Sequence, residues 1–179
     1  MRPKKKSFKI LVYKSAKKWY NQNMNENTVC FTGHRNLNEN KINLIEERLS
    51  SVIEYLVSEG FTRFIAGGAL GFDTLAANAV LKIRETHPHI SLAIAIPHRN
   101  QAGSWSDEEK EEYAKILEAA DEQILLSENY FRGCFHVRNR YMVDNSTVCV
   151  AYLLEEKGGT FSTVKYALKK GLRVINLAE

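Results

Sequence analysis

The chain has 179 residues, 44% of them apolar, and a formal charge of +4, which is enough for one sizeable core and too little for two. Its three cysteines, Cys30, Cys134 and Cys149, are far apart and its five histidines form no HxxxH or HExxH pair, which argues against a disulfide scaffold and a structural zinc site. No apolar run approaches the roughly 20 residues that span a bilayer, so the expectation is a cytoplasmic protein with no metal and no cofactor.

The charge is unevenly spread. Residues 1 to 26 hold eight basic side chains (Arg2, Lys4, Lys5, Lys6, Lys9, Lys14, Lys17, Lys18) against Glu26, a net +7 within the chain's +4, which leaves −3 for the rest. This stretch reads as a basic N-terminal extension, solvated or partly helical, with nucleic acid or an anionic membrane surface as an alternative partner, because counterion release and headgroup attraction both favour clustered lysines. The polar stretch Asn21 to Asn27 reads as a linker, Met24 as a candidate internal start, and residues 27 to 179 as the folded domain.

From Thr28 the pattern alternates strand and helix. Thr28 to Thr32 is a β-branched and apolar strand, and Ile42, Ile45, Leu49, Val52, Ile53 and Leu56 recur at helical spacing between about Lys41 and Glu59, closed by Gly60. Arg63 to Ala66 is a second strand, followed by an alanine-rich helix from about Asp73 to Glu85 that Pro88 stops. Ser91 to Ile96 is a third strand, ended by Pro97. After a loop to Trp105, Ser106 and Glu109 form a capping box for a charged helix to about Ala120. Gln123 to Leu126 is a fourth strand. A loop with Gly133 leads to a helix near His136 to Asn145, and Thr147 to Leu154 is a fifth strand. Gly158 and Gly159 open the last helix, Gly171 caps it, and Arg173 to Leu177 is a terminal strand. Strands joined by helical crossovers predict an α/β, Rossmann-like three-layer sandwich, with a mainly parallel sheet of about six strands and helices on both faces.

Three strand-to-helix junctions carry glycine: TVCFTGHR (28–35), FIAGGALGFD (64–73) and YLLEEKGGT (152–160). An open parallel sheet collects ligands at the carboxyl ends of its strands, where glycine lets backbone N–H groups and helix N-termini approach an anion. Thr32, Gly33, His34 and Arg35 follow the first strand, and the Arg35 fork suits phosphate. Gly67, Gly68 and Gly71 expose N–H groups ahead of Asp73, a ligand contact or an N-cap. Arg138 and Arg140 either face the crevice or make surface ion pairs. Gly158, Gly159 and Thr160 form an anion site at a helix N-terminus, and Trp105 either stacks on a base or packs. His34 and Asp73 are the candidates for acid/base work.

The ordered strings TGHR, GGALGFDTLAA, IPHRNQAGSW, RGC, RNRYMVD and GGT resemble the YpsA/YoqJ-like branch of the SLOG superfamily, which includes the DNA-processing protein DprA and the lonely-guy phosphoribohydrolases. The match runs from about Asn27 to Leu177. It implies a Rossmann-like fold, a pocket for a nucleotide-derived ligand, and a homodimer formed through helices beside the site. Phosphoribohydrolases carry PGGxGTxxE, whose glutamate assists cleavage; the aligned stretch here is KGGTFSTVK, with Lys157 for the proline, Phe161 for the third glycine and Lys165 for the glutamate. A lysine cannot accept the proton that glutamate takes. The leading expectation is therefore binding, by sensing or sequestration, of a nucleotide-derived phosphate ligand. The alternatives are N-glycosidic or phosphoester hydrolysis of a nucleotide, and DprA-like single-stranded nucleic-acid binding aided by the basic extension.

Overall fold

The computed structural model describes residues 7–10 and 27–178; the rest of the basic extension, Met24 included, lies outside the described residues. Seven parallel strands form one sheet: β1 (Ser7–Ile10), β2 (Thr28–Gly33), β3 (Arg63–Ala66), β4 (Ser91–Ile96), β5 (Glu122–Leu125), β6 (Val148–Tyr152) and β7 (Arg173–Asn176). Their spatial order is β1-β5-β4-β3-β2-β6-β7. The six strands from β2 onward are those predicted from the sequence. The seventh, β1, comes from the extension and pairs with β5 from Ser7↔Glu122 to Ile10↔Leu125.

Five helices cover the sheet: α1 (Ile42–Ser58), α2 (Phe72–Arg84), α3 (Asp107–Ala119), α4 (Cys134–Asp144) and α5 (Gly158–Lys169). The strand side chains divide with period two, as a pleated sheet requires. Val29, Phe31, Phe64, Leu92, Ile94 and Val150 point to one side, where they meet Ile45, Leu49 and Ile53 of α1, Ala76 and Val80 of α2, and Ile116 of α3. Cys30, Ile65, Ala93, Ala95 and Cys149 point to the other and meet Tyr141 and Met142 of α4 and Ala167 of α5. Both faces are thus covered, which explains why the central strands read as near-continuous apolar runs.

Local signals set the helix ends. Gly60, at φ 91°, ends α1 while Phe61 N–H donates to Leu56 O at 3.0 Å. The Ser106–Glu109 capping box forms, with Glu109 N–H donating to Ser106 Oγ at 3.2 Å and Ser106 N–H to Glu109 Oε2 at 2.8 Å. α4 starts two residues earlier than the sequence suggests, because Gly133 takes a left-handed conformation at φ 96° and begins the helix at Cys134.

The order of strands locates the crevice. From β2 the chain steps through β3 and β4 to β5 in one direction, then returns by α4 to β6 on the other side of β2. The carboxyl ends of β2 and β6, where Gly33 pairs with Tyr152, are therefore the topological switch point at which such sheets bind ligands.

Candidate functional site

A pocket of about 270 Å³ opens at the switch point. Thr32, Gly33, His34 and Arg35 reach it from β2, Ala69 and Asp73 from the β3–α2 junction, Phe135, Arg138, Asn139 and Met142 from α4, and Gly159 and Thr160 from the start of α5. Eight of these, Thr32 to Arg35, Asp73, Arg138, Gly159 and Thr160, are ligand-binding candidates on the sequence. The structure brings them together from four separate stretches of chain.

The loops that hold the pocket are tied to one another. Gly33 passes beneath the first residue of α2, where an added Cβ would lie 2.3 Å from the Phe72 ring. Phe72 N–H donates to His34 O at 3.1 Å, and the Phe72 ring stacks on Tyr152 at 5.8 Å. His34 Nε2 accepts from Leu154 N–H at 3.1 Å, which joins the loop after β2 to the loop after β6 and occupies that nitrogen. Arg35 is exposed, with its guanidinium 5.2 Å above the Phe135 ring.

At the second junction the protein fills the space beside its own glycines. A Cβ on Gly67 would fall 1.8 Å from Arg138 Nη1 and 2.5 Å from Asp73 Oδ2. Gly71, at φ 74°, has the Arg35 carbonyl oxygen 2.1 Å from the place a Cβ would take. Gly68 O accepts from Gln101 Nε2 at 3.0 Å, and the same amide meets Tyr113 Oη at 2.7 Å.

Arg138 is the buried hub of a polar chain. Its Nη1 donates to Gly67 O and lies 3.5 Å from Asp73 Oδ2, while its Nε donates to Asn139 Oδ1 at 2.7 Å. Asn139 Nδ2 donates to Thr163 Oγ1 at 2.8 Å, and Thr163 donates to Gly159 O at 2.8 Å. The chain therefore links α2, α4 and α5 across the floor of the pocket. Burial pushes the Asp73 carboxyl above its ordinary value, and the Arg138 charge together with the Ala69 N–H offsets this only in part. The same burial lowers the Arg138 guanidinium, with the Asp73 charge opposing it.

The third junction is open. Gly158 and Gly159 have nothing within 4 Å of the place a Cβ would take, and no side chain caps α5. The N-terminal N–H groups of α5 thus stand at the pocket with the positive end of the helix dipole.

Six sequence candidates do not line the pocket: Gly67, Gly68 and Gly71 of the β3–α2 junction, and Gly158, Trp105 and Arg140. Gly158 borders the pocket without lining it. Trp105 is half-buried and packs edge-on against Tyr113 at 5.3 Å. Arg140 lies 5.5 Å above the Tyr166 ring in a separate groove between α4 and α5, which also contains Lys165. Ala69, Phe135, Asn139 and Met142 also line the pocket and are not among the sequence candidates. For those on α4 the signal was present, because Phe135, Arg138, Asn139 and Met142 share one helical stripe, whereas Arg138 and Arg140 are two residues apart and diverge around the helix. Phe135 also belongs to an aromatic rim, with His98 5.8 Å from it and Tyr130 5.4 Å beyond.

Residues 29–174 match the family model described as YspA SLOG family. The chain belongs to that family. Among curated relatives it is 36% identical over 138 residues to the uncharacterized SPbeta prophage-derived protein YoqJ of Bacillus subtilis (strain 168), covering 70% of this chain and 81% of that one. It is 33% identical over 135 residues to a UPF0398 protein of Halalkalibacterium halodurans, covering 74% of this chain and 71% of the relative. Among solved structures, DprA from Streptococcus pneumoniae superposes with a TM-score of 0.60 at 18% identity, over 82% of this chain and 48% of that one. The chain thus spans about half the length of that DprA. The Helicobacter pylori DprA, described for its single-stranded DNA binding mode, gives a TM-score of 0.59 at 18% identity, over 82% of this chain and 63% of its own. TM1055 gives 0.53 at 16% identity, over 82% and 71%. These likenesses establish the SLOG-type Rossmann-like fold. No helix among the described residues is long and apolar enough to cross a membrane.

Proposed function

We propose that this family member binds a nucleotide-derived, phosphate-bearing ligand in the switch-point pocket. The observation that carries the reading is the open N-terminus of α5, uncapped by any side chain, in the same pocket as the exposed Arg35. Helix N–H groups and an arginine fork are the two donor sets best suited to a phosphate. The base of the ligand lies against the rim formed by Phe135 and Tyr130, which offers apolar ring faces next to the anion site.

Binding is favoured over hydrolysis because both acid/base candidates are already engaged. His34 Nε2 holds the Leu154 N–H, and Asp73 is buried against Arg138. Lys165, which occupies the glutamate position of the phosphoribohydrolase motif, lines the separate groove between α4 and α5.

Arg35→Ala removes a phosphate donor at an exposed position, whereas changing Arg138 would also break the polar chain beneath the pocket. Titration calorimetry with AMP and ADP should show Arg35→Ala weakening both by about tenfold or more while the melting temperature stays within 1 to 2 °C, about what a small surface change produces. Unchanged affinity for both nucleotides would remove the reading. Release of free adenine from AMP during the same incubation would instead place hydrolysis in this pocket.

A further inference from the structure

The groove between α4 and α5 has a volume of about 220 Å³ and is lined by His136, Asn139 and Arg140 from one helix and by Lys165, Tyr166 and Lys169 from the other. Arg140, Lys165 and Lys169 are exposed and form no ion pair with any described residue. The two helices contain a single carboxylate, Asp144, which is already bound to Lys170 Nζ at 2.7 Å and to Tyr166 Oη at 2.9 Å. The Tyr166 ring carries the Arg140 guanidinium at 5.5 Å and the Lys170 ammonium at 5.2 Å. Stacking holds a guanidinium by its face and leaves its in-plane N–H donors for a ligand.

The cleft on the opposite side of the sheet has the reverse character. Between α2 and α3 it presents Glu108, Glu111 and Glu112, with Lys115 committed to Glu111 at 2.7 Å. Among the described residues, these two grooves therefore differ in the sign of their charge.

This groove adjoins the switch-point pocket, since Asn139 lines both. Asn139 is held from each side, accepting from Arg138 and donating to Thr163, so it forms a fixed partition between the two spaces. We infer that the groove is a second phosphate subsite, and that the ligand of this protein is a linear dinucleotide-type molecule whose first phosphate sits at α5 and whose second reaches across Asn139 to Arg140, Lys165 and Lys169. The inference rests on the reading of the switch-point pocket as a phosphate site.

Titration calorimetry with AMP and with the 5′-phosphorylated dinucleotide pApA tests it in the wild-type chain and in an Arg140→Gln, Lys165→Gln, Lys169→Gln variant. The three positions are exposed, so the variant should fold, and an unchanged melting temperature verifies that. The wild type should bind pApA at least about tenfold more tightly than AMP, the size expected of added charge-assisted contacts. The variant should lose that margin and keep its AMP affinity. AMP binding with no margin for pApA, or a margin that survives the triple change, overturns the second subsite alone. If neither molecule binds the wild type, the pocket reading fails and takes this one with it. A further gain of tenfold or more for a twelve-residue oligodeoxyadenylate would overturn the two-phosphate assignment in favour of a nucleic-acid strand.

Discussion

The junctions after β3 and after β6 use the same residue type at the same kind of place, and the structure gives them opposite roles. Both put glycines between a buried strand and a helix at the carboxyl edge of the sheet. At Gly67 and Gly71 the missing side chains make room for the protein itself, for Arg138 in one case and the Arg35 carbonyl in the other. At Gly158 and Gly159 the space stays empty and faces solvent. A glycine-rich turn therefore signals close approach without saying what approaches. In this chain the first set builds the floor of the pocket and the second leaves open space beside it.

The largest expected effect comes from filling the packed junction. Gly71→Ala combines a left-handed backbone at φ 74° with a collision against backbone that cannot rotate away, and Gly67→Ala pushes on a buried ion pair. Each should cost about 3 to 5 kcal/mol, seen as a large fall in the urea midpoint. A loss below about 1 kcal/mol would mean the two junctions are alike after all.

A smaller effect isolates the buried carboxylate. Because burial raises the Asp73 value in the folded state above the ordinary 3.8, its contribution is fully present at pH below that ordinary value and is lost as pH rises through the folded one. Asp73→Asn cannot titrate and lacks this loss. The wild-type melting temperature minus that of the variant should therefore shrink from pH 3 upward until Asp73 has ionised in the folded state. A constant difference across the range contradicts the account.

The smallest stability effect belongs to the open junction. Gly159→Ala should leave stability within about 1 kcal/mol, in either direction, because alanine is the better helix former and meets no atom there. Its methyl group stands in the pocket, so AMP affinity should fall several-fold while thermal unfolding barely moves. Stability loss without loss of binding would assign Gly159 to the packed class.

Much of the fold was legible in the chain. Strand and helix signals from Thr28 to Leu177 are local: β-branched runs, apolar residues at helical spacing, a capping box at Ser106 and stops at Gly60, Pro97 and Gly171. Such signals act over one or two turns, so the order of elements and the junctions that meet at the carboxyl edge follow from the residues alone. Strand β1 was not legible, because Ser7–Ile10 takes its partner from β5 more than a hundred residues away, and nothing in a four-residue run surrounded by lysine names that partner.

The same division runs through the site. Local patterns along the chain are enough to tell which stretches reach the carboxyl edge, and they put Thr32 to Arg35, Asp73, Arg138, Gly159 and Thr160 among the candidates. Packing of the layers sets the rest: Arg138 lies buried in the wall of the pocket while Arg140 stands outside it, Trp105 packs on Tyr113, and basic charge gathers over α4 and α5 while acidic charge gathers over α3. A sequence lists charges and glycines along one dimension. Whether a charge is paired, or the space beside a glycine is filled, depends on atoms brought from distant parts of the chain, and those are set only when the layers pack.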